Sequence, residues 1–193
     1  MGRPAYRPLP AVAAPRAAPL LILVNMQREH VVPGRRYRVR DDDTVRMSCL
    51  TLLRGAREAG LPVAHFRRVG RGLFFNPGDR FSSWVEDFVP RPSEMVFEHE
   101  APSCFSCEAF ERMIAYMHEP SLVLAGFGAE YTGLATSIDA FARGYRVRFV
   151  PEASGASLVR SDSLTPLIGQ FAEPTALGGA LALLASPGAA SLQ

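Results

Sequence analysis

The chain has 193 residues, of which 48 % are hydrophobic and 21 % charged, and its formal net charge is +2. These values are typical of one globular domain and exclude a wholly disordered or fibrous chain. No run of about 18 apolar residues occurs, so neither a transmembrane helix nor a membrane partner is predicted. The small net charge gives no reason to predict nucleic acid as a partner. All 21 basic residues are arginine, which excludes any mechanism that needs a lysine.

The two ends of the chain differ in composition from the middle. Proline and arginine interrupt residues 1–18, which predicts a disordered tail rather than the unbroken apolar core of a secretory signal. Residues 187–193 are small and polar and are expected to fray. A single domain is therefore predicted over residues 19–186.

The cysteines favour a reducing compartment. Their number is odd, which suits a disulfide framework poorly, so a cytoplasmic location is predicted. Cys104 and Cys107 form a C-x-x-C motif, but no second pair completes a zinc site. We predict that they are small apolar residues at the start of a helix, and we predict neither a metal nor a cofactor.

Apolar runs of strand length alternate with helical patterns along the domain. The predicted strands are Pro19–Asn25, Leu61–Phe66, Glu94–Glu98, Pro120–Gly126 and Tyr145–Val150, with a short sixth near Glu173. Helices are predicted after Asp41–Asp43, around Phe110–Met117, at about 130–143 and 162–171, and through Leu184. This order predicts a three-layer α/β/α sandwich with a mostly parallel, doubly wound sheet of about five to six strands.

Ligands of such sheets bind beyond the carboxyl ends of the strands. The segments that reach this edge are 25–30, 66–71, 99–105, 126–133 and 152–155. An irregular stretch, 69–92, is long enough to suggest that it covers or builds a site. Its aromatic residues either fill the pocket or line an apolar ligand site: Phe74, Phe75, Phe81 and Trp84.

Several of these strand ends carry specific patterns. The first strand ends in Asn25-Met26-Gln27, and FEHEAPSCF places His99 six residues before Phe105. The fourth strand enters GFGAEYTGLATSIDA, in which Gly126, Glu130, Thr136, Asp139 and Ala140 keep a fixed register, and GYRVRFVPEA follows from Gly144. Together these patterns resemble the isochorismatase-like family, also called the cysteine hydrolase superfamily.

The resemblance implies the same α/β fold and a pocket at the strand ends. The family uses an Asp/Lys/Cys triad, whose matching positions here are Asn25, His99 and Thr132. An amide cannot accept a proton at neutral pH, and a threonine hydroxyl is far less acidic than a thiol. The resemblance also implies a substrate-binding role for five residues: Gln27, Phe105, Gly128, Ala129 and Glu130. A homo-dimer or homo-tetramer is implied in the same way.

Two functional hypotheses follow. In the first, the chain is a non-catalytic member that binds a small molecule or serves in an assembly. In the second, it hydrolyses a small amide-type substrate, with His99 as the base for Thr132 and Asn25 as the orienting group. The second requires Thr132 Oγ within hydrogen-bond reach of His99. Cys104 is a further candidate nucleophile, since its loop follows His99.

Other polar residues allow more than one interpretation. Arginines 28, 67, 68 and 71 lie on loops at the predicted rim, where they either recognise a carboxylate or phosphate or form a solvated or subunit-contacting surface. His30 and His118 are interpreted as surface or loop histidines. Gly126-x-Gly128 is not predicted to bind a dinucleotide, because Tyr131 stands where a third glycine is needed.

Overall fold

The computed structural model describes residues 18–117, 120–159 and 161–185. His118 and nearly all of the two predicted tails lie outside these residues. The strands are β1 (Leu20–Val24), β2 (Val63–Arg68), β3 (Met95–His99), β4 (Leu122–Phe127), β5 (Val147–Gly155) and β6 (Glu173–Pro174). The helices are α1 (Asp42–Glu58), α2 (Glu108–Ala115), α3 (Leu134–Ala142), α4 (Ser161–Ile168) and α5 (Leu177–Ala185).

The six strands form one sheet in the order β3-β2-β1-β4-β5-β6, with every pair parallel. β1 and β4 are buried along their whole length, as continuous apolar runs in the middle of a parallel sheet should be. One face packs against α1 and α5, and the other packs against α2, α3 and α4. The predicted three-layer sandwich is therefore confirmed.

β5 is longer than its predicted span. The predicted strand ended at Val150, but pairing with β4 resumes at Gly126↔Ser154 after a register shift. The shift places three more residues of β5 than of β4 between the paired positions, so Pro151 lies in a bulge. A proline is tolerated there because a bulge residue makes no ladder hydrogen bond.

β1 and β4 lie at the point where the strand order reverses, which is where open α/β sheets generally bind their ligands. Gly126 makes the close approach of these two strands possible. A Cβ at this residue, whose φ is +128°, would lie 2.1 Å from Val24 O. No other residue type fits at this end of β4.

The opposite end of β2 carries a closed cluster of charged side chains. Arg57 of α1 donates to both carboxylate oxygens of Glu94 at 2.6 and 3.0 Å. His65 Nε2, in the middle of β2, lies 2.9 Å from Glu94 Oε2. This cluster ties α1 to the start of β3. No helix within the described residues is long and apolar enough to cross a bilayer.

Candidate functional site

The site begins where the chain leaves β1. Asn25 has a φ of +56°, a left-handed conformation that asparagine adopts more readily than most residues. Its N–H donates to Phe66 O at 2.8 Å, which continues the pairing with β2. Its side chain turns toward β4, where Nδ2 donates to Phe127 O at 3.1 Å.

The side chains of Asn25, His99 and Thr132 form a hydrogen-bonded chain, here called the relay. Asn25 Nδ2 donates to Thr132 Oγ1 at 2.9 Å, and Asn25 Oδ1 lies 2.9 Å from His99 Nε2. The three residues are between 0 and 3 % exposed. The amide of Asn25 thus lies between the hydroxyl and the imidazole, and within the described residues no hydrogen bond joins Thr132 to His99.

The hydrogen bonds of the relay do not favour transfer of the Thr132 hydroxyl proton to Asn25 or His99. The two bonds donated by Nδ2 assign the orientation of the Asn25 amide, so this amide gives protons to Thr132 and takes none from it. His99 Nδ1 lies 2.7 Å from Ala101 O. Burial lowers the pKa of His99 and the charge of Arg68 lowers it further, although the contact with Ala101 raises it. Both ring nitrogens of His99 face carbonyl oxygens, and a neutral imidazole can donate to only one of them. Neither nitrogen faces the hydroxyl of Thr132, so His99 has no direct path to the Thr132 proton.

The turn between β4 and α3 is a π-helical turn, Ala129–Gly133. The N–H groups of Tyr131, Thr132 and Gly133 all point to the carbonyl of Gly128, at 3.1, 2.8 and 3.2 Å. Backbone N–H groups at such a turn stabilise an oxyanion in acyl transfer. Here the same donors are engaged within the turn, and Thr132 is fully buried.

Two of the predicted substrate-binding residues hold loops together. Gln27 Oε1 accepts from Arg68 N at 2.9 Å, while its Nε2 donates to Arg68 O and Ser82 O at 3.0 and 2.9 Å. Glu130 Oε1 accepts from both the N–H and the hydroxyl of Ser157, at 2.9 and 2.8 Å. The Gln27 amide is fully bonded within the protein, whereas Glu130 keeps its second carboxylate oxygen, Oε2, buried without a hydrogen-bond partner.

The other three predicted substrate-binding residues lie around the same turn or below it. Gly128 has a φ of +78°, and a Cβ there would lie 2.4 Å from the Tyr131 ring. Ala129 is buried in the core beneath α3. Phe105 packs on Tyr145 with ring centroids 5.6 Å apart. The substrate-binding role of all five residues stays a prediction.

An aromatic cluster lies beside the relay, and the sequence indicated only two of its four members, Phe75 and Arg68. Tyr37, Phe75 and Tyr131 surround the Arg68 guanidinium, with 5.5, 4.7 and 4.9 Å from Cζ to the ring centroids. We call these three rings and Arg68 the cage. Of the loop aromatics singled out in the sequence, Phe75 belongs to it, whereas Trp84 packs against His65. The approach of Tyr37 and Tyr131 depends on loop conformations that leave no periodic pattern.

His30 was interpreted as a surface or loop histidine, and the surface part of this interpretation is wrong. It ends the 3₁₀ turn Arg28–His30 and is completely buried. Its ring lies 5.4 Å from that of Phe75 and 5.5 Å from that of Phe127. Burial lowers its pKa to about 4, although a backbone contact with Tyr37 opposes this shift. His30 is therefore a neutral member of the site's wall at pH 7.

Cys104 does not present a reactive thiol in this structure. It is fully buried, and burial raises its pKa to about 12. The thiol is protonated at neutral pH and so is a poor nucleophile. Within the described residues, no group of three or more His, Cys, Asp or Glu side chains is arranged to hold a metal ion.

Comparisons with known proteins agree with this architecture. The isochorismatase domain model matches residues 19–165. The chain is similar to a protein described as an isochorismatase-family hydrolase from Chromobacterium violaceum ATCC 12472, at 25 % identity and a TM-score of 0.75 over 89 % of this chain and 97 % of that one. No curated protein matches it significantly.

Two further structures share the fold at lower identity. A cysteine hydrolase from Pseudomonas syringae pv. phaseolicola 1448A gives 17 % identity and a TM-score of 0.78, over 91 % of this chain and 99 % of that one. N-carbamoylsarcosine amidase from Thermoplasma acidophilum gives 23 % identity and a TM-score of 0.66, over 82 % of this chain and 95 % of that one. With a family model that spans most of its length and a matching fold, the chain belongs to the isochorismatase family.

Proposed function

We propose that this chain is a member of the family that binds a small molecule at the carboxyl ends of β1, β3 and β4 without hydrolysing it. One observation carries the proposal: Asn25 Nδ2 donates to Thr132 Oγ1 at 2.9 Å. A nucleophilic hydroxyl needs a proton acceptor at this position. The amide supplies a donor instead.

The surroundings of Thr132 support the same conclusion. The N–H groups that would hold an oxyanion already donate to Gly128 O. Burial and Arg68 lower the pKa of His99, which disfavours a cation where the family has a lysine. Among the described residues, Thr132 therefore has no base beside it and no free oxyanion donors at its turn.

The alternative is an amide hydrolase in which Thr132 attacks, His99 is the base and Asn25 orients them. It requires Asn25 to swing out from between the other two residues. Such a movement would give up the bonds of Asn25 to Phe127 O and Thr132 Oγ1 in a buried environment, where each unmade hydrogen bond costs about 1–3 kcal/mol.

Ammonia release from a panel of small amides and ureas tests the proposal. We expect the wild type, Thr132→Val and Thr132→Ser to give the same background rate. Valine removes the hydroxyl at constant shape, whereas serine keeps it. A wild-type rate well above background that valine abolishes and serine retains would establish the hydrolase instead.

A role in assembly is a second proposal, carried by a separate observation. Ile138, Phe141 and Leu167, on α3 and α4, are 40, 60 and 47 % exposed. Large apolar side chains grouped on one surface are typical of protein contacts. We propose that a homo-dimer or homo-tetramer covers them. Light scattering should show an oligomer that Phe141→Glu dissociates, and a wild-type monomer would contradict this.

A further inference from the structure

We propose that Arg68 is the receptor for a carboxylate, and that the ligand of this site is a small planar carboxylate with an apolar body. The inference rests on the proposed function, since it names the chemistry of the molecule that the site would bind. It begins from the four arginines that the sequence placed at the rim, among which the structure makes a clear distinction.

Three of the four arginines have ordinary surroundings. Arg67 forms an ion pair with Glu98. Arg71 is 93 % exposed and lies 3.9 Å from Glu100, and Arg28 is exposed to solvent. Arg68 is partly buried, and no carboxylate of the described residues lies within 4 Å of it.

The groups that face Arg68 leave its charge uncompensated. Three aromatic rings surround the guanidinium at 4.7 to 5.5 Å. Nearby, burial lowers the pKa values of His30 and His99, and it raises the pKa of Tyr131, whose hydroxyl is protonated and hydrogen-bonded to Arg68. None of these three side chains is an anion. Ring faces offset part of the cost of withdrawing a cation from water. They do not replace the anion that a buried charge normally pairs with.

Glu29 and Glu130, on turns that enter this site, each use one carboxylate oxygen in a protein contact, while Glu29 Oε1 and Glu130 Oε2 have no hydrogen-bond partner. Glu29 is bound by Arg35, whose Nε and Nη2 lie 2.8 and 2.7 Å from Oε2. Glu130 Oε1 is bound by Ser157. Neither acid lies within 4 Å of Arg68, and no other carboxylate of residues 18–117, 120–159 and 161–185 does so. An anion from solution would therefore be its first acidic partner at that distance.

Arg68 and its surroundings are held in place before any ligand binds. Gln27 bonds to both the N–H and the carbonyl of Arg68. Phe75 has a φ of +59°, a strained conformation for a bulky residue that persists only where its surroundings impose it. A preorganised receptor loses less entropy on binding than a flexible one.

The shape of the cage selects the class of ligand. A guanidinium offers parallel N–H donors along its planar edge, which match the two oxygens of a carboxylate. The aromatic rings around the guanidinium provide an apolar wall for the rest of the ligand. A planar aromatic acid satisfies both requirements.

Calorimetric titration with benzoate tests the assignment, with benzamide as its uncharged counterpart. We expect benzoate to bind the wild type and benzamide to bind at least tenfold more weakly. Arg68→Gln should weaken benzoate by about 10- to 100-fold, as the loss of a charge-assisted pair does. Arg71→Gln, three residues further along the chain at a side chain that is 93 % exposed, should leave the affinity unchanged.

Several outcomes would overturn the assignment. One is equal affinity for benzoate and benzamide, and another is an unchanged benzoate affinity in a folded Arg68→Gln variant. The others are no detectable binding of benzoate, or calorimetric binding of inorganic phosphate alone. Circular dichroism checks that each variant is folded. None of these results depends on the hydrolysis assay, so failure of the carboxylate assignment can be told apart from failure of the non-catalytic proposal.

Discussion

The arginines at the two ends of β2 have different neighbours: one is paired with a carboxylate, and the other is surrounded by aromatic rings. Near the start of β2, Arg57 is paired with Glu94, which also faces His65, so the charge is neutralised within the cluster. At its end, Arg68 lies among aromatic rings and beside two histidines whose pKa values are lowered by burial. No carboxylate in the described part of the chain lies within 4 Å of it. Both arginines are largely withdrawn from solvent.

We infer from this contrast that the Arg57–Glu94 cluster stabilises the fold, whereas the cage around Arg68 is suited to binding an anion. A buried cation is destabilising unless an anion accompanies it. The first cluster supplies its own anion and needs nothing further. The cage contains no anion to pair with Arg68, which lies at the sheet edge where ligands of this fold bind. The relay lies beside the cage and has its hydrogen bonds closed within the protein.

The largest effect is expected from opening the relay. Asn25→Leu leaves Thr132 Oγ1 and His99 Nε2 without their partner and puts leucine in a left-handed conformation. We expect a loss of about 3–5 kcal/mol in the free energy of unfolding. Urea denaturation measures it, and Asn76→Leu, at an exposed loop position, is the matched control. A loss below about 1 kcal/mol would show that the relay is not closed.

The neutral histidines predict a specific loss of stability in acid. The unfolded state protonates His30 near pH 6.5, whereas the folded state does so only near pH 4. Stability therefore rises with pH between these values, and His30 accounts for about 3 kcal/mol of the difference between pH 4 and pH 7. Denaturation of His30→Gln at both pH values should show a correspondingly smaller difference. An unchanged difference would mean that His30 is not buried as a neutral ring.

A smaller effect is expected at the closed end of β2. Glu94→Gln leaves Arg57 without its anion in a mostly buried position, and we expect a loss of about 2–3 kcal/mol. Glu98→Gln removes a solvent-exposed partner of Arg67 on the same strand and should cost less than about 1 kcal/mol. Equal losses in the two variants, measured by urea denaturation, would contradict the difference drawn between these pairs.

The smallest effect on stability is expected at Arg68 itself. Arg68→Gln removes favourable contacts with the rings and also an uncompensated charge, so the two changes offset each other to within about 1 kcal/mol. Thermal denaturation without ligand should therefore place this variant close to the wild type. A loss as large as that of Glu94→Gln would show that Arg68 has a stabilising partner in the folded protein.

Much of the fold could be predicted from local patterns. The apolar runs of β1 and β4 predict buried parallel strands. The spacing of residues from Gly126 to Ala140 indicates the family resemblance. The end of β5 was missed, because a bulge at Pro151 depends on pairing with β4 and not on the strand's own composition.

The site was only partly predictable. Asn25, His99 and Thr132 were expected at the strand ends, and they meet there, but that the amide would lie between the other two required coordinates. His30 and Tyr131 gave no signal of burial, since their positions depend on loops packing over each other. The four arginines at the rim look alike in sequence. Only the placement of Glu98 and of the aromatic rings distinguishes Arg68 from them.

The most direct test asks whether Thr132 can act as a nucleophile. The protein is incubated with p-nitrophenyl acetate and mapped by peptide mass spectrometry, with Thr132→Val treated in parallel. We expect Thr132 to remain unacetylated, because its hydroxyl is buried and accepts a hydrogen bond where a base would be required. Stoichiometric acetylation of Thr132 would contradict the non-catalytic proposal and establish a working hydrolase.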